Sequence, residues 1–279
     1  MDLPEKPLKP LIIYHGWCQD GFGAALAAWM KYGKGADYHA ANHGDPPPGC
    51  MNRPVVIVDY AYKRVDMLRL KETCESLVVL DHHISAQKEL GDLDFCHFTM
   101  DKSGARIAWE HFHPGAPVPE LILDIEDRDL WKWQRPDSRA ITCALDTYPF
   151  RFGVWSRFIK GSTKSLKRDG EAILRYQDQM LSKITHKPEF ITLAGFNVPA
   201  VNCPVLSSEI GNILCQNQPF AVIWRQAHGI INYSMRSSET GEDVSRIAAA
   251  FGGGGHARAA GFSVKVGTDV SILPNLTQT

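Results

Sequence analysis

Short apolar runs without polar alternation recur through the first third of the chain, in "PLIIYHG" (10–16), "PVVIVDY" (54–60) and "LVVLDHH" (77–83). Consecutive Val, Ile and Leu of this kind predict strands buried on both faces, as in a parallel sheet covered by helices. Between them the spacing turns helical, in "DGFGAALAAWMKYG" (20–33) and "KRVDMLRLKETC" (63–74). The order strand, helix, strand, helix, strand predicts a doubly wound α/β domain with a parallel sheet. A further short strand is expected at "ADYHA" (36–40). Segment 162–187 is polar, lacks proline and spaces Leu166, Ile173, Leu174, Met180 and Leu181 as one helix, which reads as a connector. Beyond it, 189–203 and 219–238 alternate like strands, with helices suggested at 206–216 and from about Asp243. The expected organisation is a catalytic domain over 1–160, a helical connector over 161–188 and a smaller α/β domain over 189–279.

Composition narrows the class. The 279 residues, 44% hydrophobic, supply two ordinary cores at ~100–200 residues per domain. Thirty basic against thirty-one acidic residues leave a net charge of −1, so no global basic field attracts long duplex nucleic acid, and any anionic substrate has to be held locally. Seven scattered cysteines with no close C-x-x-C pair argue for a reducing cytosol and against a disulfide framework. The opening "MDLPEKPLKP" lacks the apolar core of a signal peptide, and no apolar run approaches the ~20 residues that span a bilayer. A cytoplasmic protein with no membrane partner is expected.

Chemistry gathers where the strands stop. In open α/β sheets, ligands bind beyond the carboxyl ends of the strands. Those ends here carry His15, Asp59 and the triplet Asp81-His82-His83, with Asp20 five residues past His15. One strand ending in Asp is as readily the cap of the next helix. Three such endings on one rim favour a metal site instead, since imidazole and carboxylate together suit manganese, iron, zinc or magnesium. Carboxylates crowded on one edge repel unless cations sit between them, which points to two ions. A second acidic group, Asp124, Glu126, Asp127 and Asp129 around Arg128, reads mostly as a charged helix face, with Trp131 and Trp133 packed into the core and one acid reaching the metals. The tryptophans in general read as core rather than as base-stacking platforms, although one near an interdomain cleft could stack a base. His97, His111 and His113 are not expected to form another metal site. The four glycines 252–255, alone a linker, become a phosphate or nucleotide clamp when followed by His256 and Arg258.

Taken in order, "YHGWCQDGFGAA" (14–25), Asp59 in "VVIVDYAY", the Asp81-His82-His83 triplet, "IEDRDLW" (125–131) and "FGGGGHARAAGF" (251–262) resemble the DHH phosphoesterases, in the branch that carries a C-terminal DHH-associated domain. The resemblance covers roughly residues 10 to 265. It implies that His15 and Asp59 hold one divalent metal and that Asp20, Asp59, His82 and Asp127 hold a second, with Asp59 bridging. Manganese is the expected ion, with magnesium or another admitted. Two metals ~3.5–4 Å apart serve hydrolysis of a phosphodiester or phosphoanhydride, by clamping the attacking and leaving oxygens. Asp59, His82 and His83 would be the catalytic residues, with Asp81 and His83 orienting His82 or meeting the phosphate and leaving group. Arg236, the Gly252–Gly255 loop (Gly253, Gly254 and Gly255 foremost), His256 and His83 would grip the substrate, and the role of Arg258 stays open. Ser103, Gly104 and Ala105 resemble a family stretch that opens a helix facing the cleft.

Cys18 departs from the family pattern, which places an aspartate there. Three readings stand: a thiolate ligand, a neighbour of a water that completes the first metal shell, or a small buried residue. The expected substrates are short oligonucleotides trimmed exonucleolytically, dinucleotides or small nucleotides. Polyphosphate or pyrophosphate hydrolysis is the second reading, and a nucleotide sensor without turnover the third. A homodimer is compatible with all three.

Overall fold

A chain that returns through a helix after each strand lays successive strands side by side in the same direction. The computed structural model describes residues 8–273; the signal-peptide reading of the first residues and the outermost ends of both expected domains, 1–7 and 274–279, lie outside the described residues. β1 (Leu11–His15) leads to α1 (Gln19–Tyr32), β2 (Asp37–Ala41), β3 (Pro54–Val58), α2 (Arg64–Thr73), β4 (Ser76–Asp81), α3 (Ile84–Leu90) and β5 (Cys96–Phe98). Their spatial order is β2-β1-β3-β4-β5, with every pairing parallel. The helices α4 (Gly104–Phe112), α5 (Glu120–Asp129), α6 (Ser138–Leu145) and α7 (Phe152–Lys160) complete this part before the long α8 (Lys164–Thr185).

The strand alternation divides the core in two. Ile12, Val58 and Leu80 pack with α1, α4, α5 and Trp155 of α7 on one face of the sheet. Leu11, Ile13, Val55, Ile57, Leu77 and Val79 pack on the other with Met67 and Leu70 of α2 and Leu90 of α3. Each such Ile, Leu or Val, fully buried, contributes roughly 1.5–3 kcal/mol. Helix α1 buries Ala24 through Ala28 completely, and Gly23 lets it approach Ala105 of α4, where an added Cβ would lie 2.9 Å from that methyl. Spatial order reverses between β1 and β3, the switch point at which loops part and a ligand crevice opens beyond the strand ends.

The chain divides into two compact units at Leu174/Arg175, inside α8. In the second, β6 (Glu189–Leu193), β7 (Phe196–Asn202), α9 (Ser207–Leu214), β8 (Ala221–Ala227), β9 (Ile230–Arg236), α10 (Val244–Ala250), β10 (Gly254–His256) and β11 (Ala259–Lys265) follow in order. They build a six-stranded sheet, β10-β11-β9-β8-β7-β6, antiparallel except for β7 and β8, which α9 joins in parallel. Val198, Phe220, Val222, Met235 and Phe262 pack against α10, while Ile210 of α9 and Ile223 form a smaller cluster with Leu181 and Cys203. A doubly wound parallel sheet and a smaller α/β domain are thus both present, as the patterning predicts.

Candidate metal centre

The ends of β1, β3 and β4 meet at the switch point. His82, just past β4, directs Nε2 to Asp59 Oδ1 at 3.2 Å, Asp20 Oδ2 at 3.6 Å and Asp129 Oδ2 at 3.6 Å. On the other side of Asp59, its Oδ2 lies 3.7 Å from His15 Nδ1 and receives the Cys18 thiol at 3.6 Å. Candidate ligand atoms fall into three overlapping groups, each spanning no more than 4.8 Å: His15, Cys18 and Asp59; Asp20, His82 and Asp129; and Asp59 with Asp81, His82 and His83.

Local structure holds these side chains in place. The N-terminal amides of α4, from Gly104 and Ala105, donate to the two Asp20 oxygens at 2.6 and 2.9 Å, so the helix start orients that carboxylate. Asp59 sits at φ 55, a left-handed backbone that turns the chain at the end of β3, and its amide still donates to Leu80 O at 2.9 Å. Gly104 is what makes room: a Cβ there would stand 2.4 Å from the Asp59 Cβ. Asp81 Oδ1 accepts from the His82 amide at 2.8 Å and pairs with His83 Nδ1 at 2.7 Å, fixing both histidines from below. The Cys18 sulfur caps α1 by accepting from Gly21 N at 3.1 Å.

The chemistry of this donor set fits divalent cations. Asp81 Oδ2 is buried and makes no hydrogen bond, and Asp59 Oδ1, equally buried, makes none beyond its 3.2 Å approach to His82 Nε2, although burial of an unsatisfied carboxylate oxygen is costly. The charges report the same crowding. Burial, Asp129 and Asp59 together raise the Asp20 carboxyl well above the usual range. Crowding within the cluster desolvates the partly exposed Asp129 carboxyl and lifts it to about 6, with Asp59 adding and His82 opposing. At His82 burial favours the neutral ring, yet the Asp59 bond and the charges of Asp59, Asp20 and Asp129 overcome it and raise the imidazole to about 10. Asp59, despite burial, is driven below the usual range by His15, His82 and His83. Burial and the neighbouring Asp59 and Asp20 push the Cys18 thiol up, so without a cation it is protonated. A metal among these groups would replace the protons that now separate the carboxylates.

Of the residues expected from sequence, His15, Cys18, Asp20, Asp59 and His82 come together here, with Asp81 and His83 alongside. Asp127 does not join them. Its oxygens accept from Gln134 N at 2.8 Å, Arg135 N at 3.1 Å and the Ser138 hydroxyl at 2.5 Å, which commits it to the loop after α5. Two residues on, at the end of α5, Asp129 faces His82 instead. The resemblance points to Asp127 within "EDRD", and the helix phase at the end of α5 turns Asp129 to His82 in its place. Asp124 and Glu126 are likewise taken, by Arg135 and Arg106.

Sequence reasoning missed His43, in the loop after β2, whose ring lies 5.6 Å from that of His15 and 5.6 Å from Tyr60. Nothing in "NHGDPPPG" announces it. His113 bonds Ala27 O at 2.9 Å and stacks on Trp109, as a packed rather than a ligating residue. Trp155 is fully buried, as expected, but Trp17 is 85% and Trp131 37% exposed, contrary to the expectation of core positions.

Arg236, Gly253, Gly254, Gly255 and His256 lie in the second unit. There His256, Ala259 and Arg236 occupy one register row across β10, β11 and β9, so their side chains share a face of the sheet. Arg236 donates to Ser208 Oγ at 2.8 Å, and Gly211 leaves space for its stem. The glycines Gly254 and Gly255 form the edge strand β10, and Gly253 passes so close to β11 that a Cβ would meet Gly261 O at 2.1 Å. Arg258 donates to the carbonyls of Glu239 and Gly241, each at 2.8 Å, and thereby closes the turn after β9.

A DHHA1 domain match spans residues 188–276. The chain is 31% identical to the uncharacterized protein R106 of Acanthamoeba polyphaga mimivirus, over 92% of this chain and 68% of that protein. Among solved structures, a pGpG-specific phosphodiesterase of Vibrio cholerae superposes with a TM-score of 0.54 at 12% identity, covering 93% of this chain and 94% of that one. An exopolyphosphatase-related protein of Bacteroides fragilis reaches 0.46 at 16% identity, over 94% and 88%. Among the described residues no helix is long and apolar enough to cross a membrane. None of these likenesses supports a homodimer, which the sequence left open.

Proposed function

The chain belongs to the DHH phosphoesterases with a C-terminal DHHA1 domain, and from that premise we propose that it hydrolyses a phosphodiester bond in a dinucleotide, short oligonucleotide or small nucleotide. The observation that carries this reading is the meeting of Asp20, Asp59, His82 and Asp129 with His15 and Cys18, beside a buried Asp81 oxygen that makes no hydrogen bond. In this reading His15, Cys18 and Asp59 hold one divalent ion, and Asp20, Asp59, His82 and Asp129 hold a second, with manganese the expected metal. Bound there, the ions supply an activated water and neutralise the phosphate.

The remaining work falls to the protein. Asp81 holds His83 through Nδ1, and this pairing keeps the imidazole protonated more than burial alone would allow, so the proton on Nε2 is available to a leaving oxygen. Asp20, bound by the α4 amides, keeps its carboxylate in one orientation. In the DHHA1 domain, assigned here to 189–279 after the connector 161–188 and the catalytic domain 1–160, Arg236, His256 and Gly253–Gly255 bind the substrate. Burial weakens the hold of Arg236 on its proton, and its hydrogen bonds go to a serine hydroxyl and a carbonyl, so an incoming phosphate is a natural partner. The fold-level neighbour that acts on pGpG favours nucleotide over polyphosphate.

The test is product release by purified protein with manganese, over linear and cyclic dinucleotides, short RNA, nucleoside bisphosphates and polyphosphate, beside Asp59→Asn. Mononucleotide release that falls at least ~100-fold in the variant supports the reading. Phosphate from polyphosphate alone transfers it to the second reading, and metal binding without turnover on any substrate transfers it to a sensor.

A further inference from the structure

Three tryptophans adopt a left-handed backbone: Trp17 at φ 60, Trp131 at φ 54 and Trp133 at φ 50. A bulky residue with positive φ is an outlier, because its Cβ crowds the neighbouring carbonyl. Such strain persists where surrounding structure imposes it, and it concentrates at ligand sites. Asp59 of the metal cluster shares this conformation at φ 55, and in the first unit Asn52 is the remaining non-glycine example among the described residues.

Position adds a second argument. Trp17 lies between His15 and Cys18, at the β1 side of the cluster. Trp131 follows Asp129 by two residues, next to the group that Asp129 forms with Asp20 and His82 rather than to the group of His15 and Cys18. Two virtual bonds span at most about 7–8 Å, so each indole is rooted beside a candidate ligand. Burial supplies the third argument. The chain buries Trp155 completely and Trp109 to 7% exposure, yet leaves Trp17 85% and Trp131 37% exposed. Aromatic rings are the side chains with most to gain from burial, so a strained ring left 85% exposed, as at Trp17, gains little from the folded chain itself.

The loop that carries Trp131 is also built. Asp127, the acid absent from the metal cluster, accepts from Gln134 N, Arg135 N and Ser138 Oγ, while its carbonyl accepts from Lys132 N at 2.9 Å. Trp133 packs edge-on against Trp131 with ring centroids 4.9 Å apart. The result is a fixed indole face rather than a floppy one.

We infer that Trp17 and the Trp131/Trp133 pair are nucleobase-stacking walls on the two sides of the metal centre, which makes the substrate a phosphodiester with a base on each side of the scissile phosphate, a dinucleotide. This rests on the phosphoesterase reading above and narrows it. π-faces stack every base and offer nothing to a polyphosphate, so the two substrate classes separate here.

The experiment compares kcat/KM for a 5′-phosphorylated diadenylate with that for the abasic dinucleotide of the same backbone, in the parent, Trp17→Asn, Trp131→Leu and Trp131→Tyr. Asn tolerates the left-handed backbone, and an 85% exposed ring leaves little packing to lose, so Trp17→Asn keeps the fold. The parent is expected to prefer the diadenylate, and this preference ratio to fall roughly 5- to 100-fold in Trp17→Asn and Trp131→Leu and to recover in Trp131→Tyr. Equal parent rates on both substrates, or variants that leave the ratio unchanged, overturn the inference while the phosphoesterase reading stands. If the parent cleaves no phosphodiester, that reading fails, and quenching of tryptophan fluorescence by diadenylate decides the inference separately. Quenching reduced in Trp17→Asn supports it; absence of quenching overturns it.

Discussion

Two residues apart at the end of α5, Asp127 and Asp129 turn their carboxylates to different partners, and the difference is measurable. Asp129→Asn removes a candidate ligand from a group of like charges. It is expected to weaken divalent-metal binding at least about tenfold while leaving metal-free thermal stability equal or higher, by calorimetry and thermal unfolding. Asp127→Asn puts an amide donor among donors, and should lower stability by about 1–3 kcal/mol, with metal binding less affected. Protonation gives a further check at this scale. Without metal His82 titrates at about 10 and Asp129 at about 6, so at pH 7 His82 carries a proton that a ligating nitrogen has to lose. Metal affinity should therefore rise with pH through 6 to 8 and drop further below 6, where Asp129 also protonates. Titration in two buffers of different ionisation heat should show release of about one proton per site at pH 7. The residue types were readable from sequence, down to the triplet. Which acid of "EDRD" faces His82 was not, since neighbouring helix positions point about 100° apart and only packing sets the phase.

Among the elements, α4 matters most to the site, because its first turn both binds Asp20 and touches Asp59. Gly104→Ala would improve helix propensity by up to about 1 kcal/mol, so any loss comes from the clash of the new Cβ with Asp59, 2.6 Å from Oδ1. The expected outcome is a large loss of metal affinity and activity. Gly170→Ala is the control: its Cβ would meet Ala140 O at 1.8 Å in the packing of α8 on α6, away from the cluster. It should lower the unfolding temperature and leave metal affinity per folded molecule unchanged. The strands β1, β3 and β4 and the helices α1, α2 and α8 were legible because their apolar spacing is long and regular. β5, with three residues, and the short α3, α6 and α7 were not, since too few positions carry a period. The glycine run 252–255 read as a clamp, and two of its members form the edge strand β10. Glycine's freedom serves close strand packing as well as ligand approach.

For the whole molecule, division into two units implies that metal acts unequally. Ions bound at the strand ends stabilise the unit up to Leu174 by about 2.7 kcal/mol at a hundredfold excess over Kd. Hydrogen exchange with manganese, compared with chelator, should slow at the ends of β1, β3 and β4 and at the start of α4. Exchange in β6 to β11 should stay the same. Uniform protection of both units would contradict a site confined to the first.

The sequence by itself determined the parallel sheet, the second α/β domain, and the chemistry waiting at three strand ends, because burial on both faces and strand-to-helix alternation are local patterns. Tertiary structure decided the rest. It set the order β2-β1-β3-β4-β5, which brings His15 and Asp59 to one switch point. It brought Asp129 rather than Asp127 to His82, set the ring of His43 beside that of His15, and left Trp17 and Trp131 exposed where the sequence reading favoured core. The physical reason is common to all four. Each depends on distances between residues far apart in the chain, and such distances are set by helix phase, close approach at glycines and left-handed turns, none of which leaves a periodic trace in the sequence.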